Sequence, residues 1–400
     1  MPRIPTSLLL KAYRENPLLS ILLKECRSLD TARNELRWIR ERALRDAREH
    51  SPNATGTRLG WRTRLRTMCH KRSQGVPLQY ILGDQPFGDL EILCRRGVLI
   101  PRSDTESYTY EAARLVRQMA LETDKNSPSP SSKTRPLRIL DLCTGTGCIA
   151  LLLHALLASH FERIQIMGLD LSPIALNLAQ RNLEHNIGLD VLGSRAREEI
   201  RFHRADVLSS SSSAGTSAST INDGSIPTVE DLLSKYTTQL EPGPEPADGS
   251  SASLPKIDLL ISNPPYISTT DFHNGTTARS VRLFEPRLAL VPPHVHANTD
   301  AAGKTGDKPE DIFYRRILGI SLAVRASITV LECGDRMQAE RVVGMFSGMR
   351  GQQGRMGEED GFTAEVWPNT EEDCLANGFH RRDGSRCVVI RRGRGGSGNS

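Results

Sequence analysis

The sequence predicts an α/β chain: a doubly wound, mainly parallel sheet preceded by a small helical domain. Three observations carry this. Short apolar runs at 138–142, 164–169, 200–203, 257–262 and 328–332 alternate with helix-like stretches such as 149–157 and 336–349, the order expected of βαβ units. The first 75 residues show helical spacing instead, at Leu18, Leu19, Leu22 and Leu23 and again at Leu36, Ile39 and Leu44, with no strand alternation. Finally, 362–367 and 386–391 form a hairpin-like pair that closes the sheet. Right-handed crossovers then bring the loops after the first and fourth core strands to one rim.

The stretch after the fourth strand is the most informative. Asn263-Pro264-Pro265-Tyr266 follows the apolar run directly, at the carboxyl end of a strand, where open α/β sheets bind ligands. Both prolines have a fixed φ and no N–H, so the turn is stiff and its carbonyls lie outside a regular ladder. An Asn oxygen and a Pro carbonyl together accept both hydrogens of a primary amine or amide. Tyr266 offers an aromatic face to the flat group carrying that nitrogen. This combination points to N-methylation of a planar group. The competing use of Asn and Pro is an ordinary turn.

Strand, glycine loop and helix follow one another in Arg138-Ile139-Leu140-Asp141-Leu142-Cys143-Thr144-Gly145-Thr146-Gly147-Cys148. Gly145 and Gly147 allow close backbone approach to a ligand and a sharp entry into the helix. The full G-x-G-x-x-G is missing, with Cys143 before the pair and Ala150 closing it, and no Lys-Ser/Thr follows as a phosphate loop requires. A cofactor with a ribose and no phosphate fits better. Asp170, about 20 residues on, is placed to accept both ribose hydroxyls. Asp206, followed by Val207, is placed to meet an adenine amino group.

Taken together, these residues resemble the class I S-adenosylmethionine-dependent methyltransferases and, within them, the HemK/PrmC family of release-factor glutamine methyltransferases. The resemblance extends to Pro77-Leu78-Gln79-Tyr80-Ile81-Leu82-Gly83, Phe87-Gly88, Leu99-Ile100-Pro101-Arg102-Ser103-Asp104-Thr105-Glu106, Phe284-Glu285-Pro286-Arg287-Leu288-Ala289-Leu290 and Asp383-Gly384-Ser385-Arg386. It covers roughly residues 75–392. The Ile-Pro-Arg and Phe-Glu-Pro segments are far more specific than the glycine loop. Two departures stand out: Cys143 occupies the place of a usual glycine, and Ser103 that of a common proline.

The resemblance implies a seven-stranded sheet and S-adenosylmethionine as cofactor, held by Asp141, Cys143, Thr144, Gly145, Thr146, Gly147, Asp170, Asp206, Val207 and Asn263. It implies N5-methylation of the glutamine in the Gly-Gly-Gln motif of a class I peptide chain release factor, in a mitochondrial, fungal-type enzyme whose helical front domain docks the substrate. Asn263, Pro264, Pro265 and Tyr266 would form the catalytic turn, and Phe87, Arg102 and Glu106 a substrate channel. Rival acceptors are an adenine or guanine amino group in nucleic acid and a ribosomal-protein glutamine; a noncatalytic cofactor-binding scaffold is the rival from another class. No additional target-reading domain with interleaved basic and aromatic residues is evident, so nucleic acid is expected to be at most an indirect partner.

Composition sets the remaining bounds. The chain has 400 residues, a net charge of +5 and no apolar stretch long enough to span a membrane. Its eight cysteines form no C-x-x-C pair, and His294 and His296 lack an acidic partner at ligand spacing. Reduced intracellular thiols and no metal are therefore expected. Residues 1–75 carry 17 Lys or Arg against 7 Asp or Glu, so the rest of the chain is net acidic. The Arg-rich stretch 33–48 is either a docking face or a solvated helix. Arg3, Lys11, Arg14 and Lys24 beside a Leu-rich face suit a mitochondrial address, cytoplasm being the alternative, and equally suit the first helix of a domain.

The expected layout is a helical domain over 1–76, a connecting hairpin and helix over 77–126, a linker over 127–136, the methyltransferase domain over 137–392 and a flexible tail over 393–400. Two low-complexity inserts, 209–253 and 292–309, are expected to be disordered surface loops without a core, the first with one helix-like stretch near 229–240.

Overall fold

The computed structural model describes residues 3–49, 60–126, 135–210, 226–240, 254–293, 307–353, 361–368 and 386–393. Residues 127–134 of the expected linker, most of both inserts, His294, His296, Asp383-Gly384-Ser385 and the tail from 394 lie outside the described residues.

The chain begins with helices α1 (Thr6–Glu15), α2 (Pro17–Cys26), α3 (Leu29–Glu49), α4 (Trp61–Ser73) and α5 (Leu78–Leu82), followed by the hairpin strands β1 (Asp84–Phe87) and β2 (Leu90–Leu93). Next come α6 (Ser103–Asn126), β3 (Leu137–Leu142), α7 (Cys148–Leu157), β4 (Ile164–Asp170), α8 (Pro173–Gly188), α9 (Ala196–Glu199) and β5 (Ile200–Arg204). The remainder is α10 (Val229–Leu240), β6 (Leu259–Ser262), α11 (Thr269–His273), α12 (Arg279–Phe284), α13 (Ile312–Ala323), β7 (Ile328–Glu332), α14 (Arg336–Gln353), β8 (Phe362–Trp367) and β9 (Cys387–Arg392). Two compact units result: Met1–Gln85, Leu93–Ile100 and His273–Pro286 form one, and Pro86–Ile92, Pro101–Phe272 and Arg287–Ser400 the other.

The first unit is helical around a small core of Ala12, Leu19, Leu22, Leu23, Ile39, Leu65 and Cys69. The basic, Leu-rich start of the chain thus supplies the first two helices of this core. Asn16 caps α2 by accepting from the Leu18 amide at 2.9 Å, with Pro17 in the first helical position. The Arg72 guanidinium grips the buried Glu35 carboxylate through two bonds of 2.7 and 3.0 Å, the fork geometry that offsets burial of a charge pair.

This unit does not stop at residue 76. Arg42 reaches Asp84 at 2.9 Å, and the Tyr80 hydroxyl donates to the Val98 carbonyl at 2.6 Å. Buried Glu285 accepts from the Ile100 amide at 3.1 Å. That bond ties the Phe-Glu-Pro segment to the Ile-Pro-Arg segment, 185 residues away in sequence.

The second unit contains the seven-stranded sheet, in the order β5-β4-β3-β6-β7-β9-β8. β5, β4, β3, β6 and β7 run parallel, while β9 pairs antiparallel with both β7 and β8. Alternate residues of each strand enter different clusters: Ile139, Ile166, Ile261 and Val330 pack with α7, and Leu140, Met167, Leu260 and Leu331 with α13 and α14. Both faces are covered, as near-continuous apolar strands require.

The reading of 209–253 as an insert without a core needs correction. Val229 and Leu233 are buried, with Leu232 and Tyr236 packed beside them. Spacing of three, four and seven residues puts these side chains on one face of α10, enough for a Ser-rich insert to add a helix to the domain.

Candidate active site

The rim forms where β3 and β6 end side by side. Leu142 pairs in register with Ser262, so the glycine loop and the Asn-Pro-Pro-Tyr turn leave neighbouring parallel strands at the same edge. The buried Ser262 hydroxyl donates to the Leu142 carbonyl at 2.7 Å and joins the two strand ends.

Three residues of the glycine loop adopt positive φ: Cys143 at 60°, Gly145 at 56° and Gly147 at 79°. The two glycines serve different ends. A Cβ on Gly147 would lie 2.9 Å from the Phe202 ring and 3.0 Å from Ala179, whereas for one on Gly145 the nearest atom among the described residues beyond its chain neighbours is the Cys143 carbonyl oxygen at 4.0 Å. Gly147 therefore permits helix–sheet packing, and Gly145 leaves open a space that a ligand can approach. Cys143 takes the left-handed conformation without being glycine, at a cost of about 1–2 kcal/mol.

Acids secure this loop. Asp170 accepts from the Gly145 amide at 2.9 Å and the Ser172 amide at 2.8 Å, which leaves lone pairs on both oxygens for a ligand. Burial raises its pKa, against the pull of the amides of Ser172, Gly145 and Leu171. Asp141 is fully enclosed and accepts from the Thr144 hydroxyl at 2.5 Å; burial pushes its carboxyl up to about 7. Among the described residues its Oδ1 has no hydrogen bond of normal geometry, though the Ala150 amide at the start of α7 favours the ionised form.

Of the residues expected to bind the cofactor, Asp141, Thr144 and Thr146 have buried side chains, and Asp141 and Thr144 are bonded to each other. Cys143, Gly145 and Asp170 remain half-exposed. Asp206 accepts from the Leu208 amide at 2.9 Å and the Ser209 hydroxyl at 2.7 Å, beside buried Val207. An open glycine, a nearby carboxylate with spare lone pairs and a second acid after β5 fit a ribose-bearing cofactor such as S-adenosylmethionine.

In the second turn, Pro264 and Pro265 are buried and Asn263 and Tyr266 half-buried. The Asn263 Nδ2 donates to Thr105 Oγ1 at 3.1 Å, and Thr105 Oγ1 donates to Glu332 Oε2 at 2.6 Å. The Tyr266 hydroxyl donates to Glu332 Oε1 at 3.3 Å, and its backbone carbonyl accepts from Gln338 at 3.4 Å. Burial raises Glu332 to about 7, opposed by the Thr105 and Tyr266 hydrogen bonds and by the positive charge of Arg102.

Thr105 and Glu332 were not among the site residues read from sequence. The available signal was an acid ending an apolar strand, and a threonine inside the Asp104-Thr105-Glu106 segment. Arg102 lies near enough to Glu332 and Tyr266 for its charge to act on both, and Glu106 is half-buried in the first turn of α6. Phe87 is corrected: it is 1% exposed in the apolar core with Leu90 and Ile92, where it presents no surface to a channel. Strand alternation at the end of β1 turns it inward.

No protein-family model matches the chain. It is 36% identical over 299 residues to the mitochondrial MRF1 N(5)-glutamine methyltransferase MTQ1 of Saccharomyces cerevisiae, covering 73% of this chain and 68% of that protein. A probable MRF1 mitochondrial N(5)-glutamine methyltransferase of Schizosaccharomyces pombe is 32% identical, covering 72% and 73%. The release factor glutamine methyltransferase of Geobacter sulfurreducens is 30% identical, covering 75% and 72%. With the parallel sheet, the open glycine loop and the Asn-Pro-Pro-Tyr turn on one rim, these likenesses establish that the chain belongs to the HemK/PrmC family and is an S-adenosylmethionine-dependent protein-(glutamine-N5) methyltransferase.

Proposed function

We propose that the acceptor is the glutamine of the Gly-Gly-Gln motif in a class I peptide chain release factor, and that the enzyme works in mitochondria. Support comes from the relatives, two of which are named for mitochondrial MRF1 and one for a release factor. The observation that carries the site assignment is the orientation of Asn263. Its Nδ2 is committed to Thr105, so its Oδ1 is the atom available to a substrate, beside the end of β3.

When bound, S-adenosylmethionine supplies a methyl group on a positively charged sulfur. Gly145 and Asp170 would hold the cofactor, with Asp206 toward the adenine. An amide nitrogen is a poor nucleophile because its lone pair is delocalised, so positioning has to supply much of the rate. Asn263 Oδ1 and the Pro264 carbonyl accept the two amide hydrogens and stabilise positive charge growing on the nitrogen. Tyr266 packs against the amide plane. The amide nitrogen that gained the methyl would be strongly acidic, and Asn263 Oδ1 and the Pro264 carbonyl would hold its hydrogens until one is lost to solvent. Arg102 and Glu106 are assigned to the approach of the substrate, and the helical unit to docking the release factor.

The test is incubation with labelled S-adenosylmethionine and, in parallel, a mitochondrial release factor, its Gly-Gly-Gln glutamine variant, ribosomal proteins and RNA, with the methyl located by mass spectrometry. Label on that glutamine, absent from the variant, is the expected result. Label on RNA or ribosomal protein alone, or on nothing, would sink the assignment.

A further inference from the structure

We propose that Glu332, acting through Thr105, is a positioning residue that sets the orientation of the Asn263 amide and anchors the Tyr266 end of the same turn. The inference rests on the reading that Asn263 accepts from the substrate amide. Its basis is the directionality of a short hydrogen-bond chain. A carboxylate has only acceptor sites, so the Thr105 hydroxyl must spend its single proton on Glu332 Oε2, at 2.6 Å. What Thr105 can then offer Asn263 is a lone pair, and only the Nδ2 end of the amide can use it, at 3.1 Å. The Oδ1 end is turned the other way. Without the carboxylate, Thr105 can donate to Oδ1 instead, and the amide can present two hydrogens to a substrate amide that also presents two.

The same carboxylate accepts from the Tyr266 hydroxyl through its other oxygen, at 3.3 Å. One side chain at the end of β7 thereby braces the first and last residues of a turn that follows β6. Glu332 is 3% exposed and Thr105 likewise, so water cannot readily take over either bond. The catalytic turn is thus stiffened twice, within its backbone by two prolines and from outside by an acid 69 positions after Asn263.

The charged and titratable groups around Glu332 simplify a pH test. Arg102 precedes α6; Tyr108 lies on α6, Tyr266 in the turn, Tyr314 on α13, Cys148 at the start of α7, Cys333 just after β7 and Cys387 on β9. Burial pushes all these phenols and thiols upward, while Glu332 sits at about 7. Falling pH therefore protonates Glu332 and gives it a proton of its own to donate, which frees Thr105 from its fixed direction. The expected kcat rises with pH through about 7.

The experiment compares the full-length protein with Glu332→Gln, Thr105→Val, Thr105→Ser, Asn263→Ala and the Glu332→Gln/Asn263→Ala double variant, with kcat for release-factor methylation, S-adenosylmethionine Kd and Tm measured for each. Glu332→Gln lets its amide donate to Thr105 and reverse the chain. The expected loss is ~10²-fold in kcat, the scale of a misplaced reacting group, with cofactor Kd and Tm near the parent values. Thr105→Val should match this loss, Thr105→Ser should restore activity, and the ascending pH limb should vanish in Glu332→Gln. The double variant should be no slower than Asn263→Ala.

Parent-like kcat in Glu332→Gln and Thr105→Val, or losses that multiply with that of Asn263→Ala, would overturn the proposal. If Glu332→Gln fails to fold, Thr105→Val against Thr105→Ser decides the point. Full activity in Asn263→Ala would overturn the reading of the turn itself, an outcome distinguishable from failure of the Glu332 relay.

Discussion

The two turns of the active-site rim leave neighbouring strands and are held by opposite means. The glycine loop depends on backbone shape: three residues at positive φ, two of them glycine, with Asp170 bonded to a loop amide. The Asn-Pro-Pro-Tyr turn depends on side chains reaching in from elsewhere, Thr105 from α6 and Glu332 from β7. The contrast matches the tasks proposed for them. A cofactor must be approached closely, which requires missing Cβ atoms. A substrate amide must meet acceptors in one orientation, which requires atoms fixed by hydrogen bonds.

The first way to break this contrast is Gly147→Ala. The new Cβ meets Phe202 at 2.9 Å and Ala179 at 3.0 Å at a φ of 79°, so destabilisation of about 3 kcal/mol is expected from left-handed strain plus overpacking. Chemical denaturation would measure it; a change within error would mean that α8 and the Phe202 ring yield freely. Gly145→Ala sharpens the point because, among the described residues beyond its two chain neighbours, its Cβ meets nothing nearer than 4.0 Å. Stability should fall by only about 1–2 kcal/mol from the conformation, while calorimetry shows a larger fractional loss of S-adenosylmethionine affinity than the stability loss accounts for. Unaltered affinity would show that no ligand comes close to this glycine.

On the other turn, Tyr266→Phe removes the 3.3 Å bond to Glu332 but keeps the ring. A cost of about 1 kcal/mol is expected, with kcat reduced much less than in Asn263→Ala and cofactor affinity unchanged. A larger loss than in Asn263→Ala would reverse the ranking of the two side chains. The smallest expected effect is a gain: Cys143→Gly relieves a non-glycine φ of 60° and should stabilise the fold by about 1 kcal/mol, read as a rise in Tm. A fall in Tm would mean that the Cys143 side chain contributes more through packing than its backbone costs.

The sheet was legible because each parallel strand is a short apolar run followed by helical spacing, a pattern that local chemistry produces and local reading recovers. α10 was underestimated for the converse reason: Val229, Leu233 and Tyr236 stand in a Ser-rich insert whose composition argues against burial. The extent of the helical unit was illegible past Val76, since it depends on pairs such as Glu285 with Ile100, far apart in the chain. Phe87, expected in a channel, lies in the core, because one residue of alternation decides which way a strand side chain points.

By itself, the sequence determined the strand–helix alternation, the glycine loop and the stiff Asn-Pro-Pro-Tyr turn, since each of these is encoded by residues within a few positions of one another. Only the tertiary structure decided which loop residues face outward and which brace from behind, and which end of the Asn263 amide is available. The latter depends on a threonine 158 positions upstream and on the glutamate to which that threonine must donate. Hydrogen-bond direction is a property of neighbours in space, and no periodicity along the chain records it.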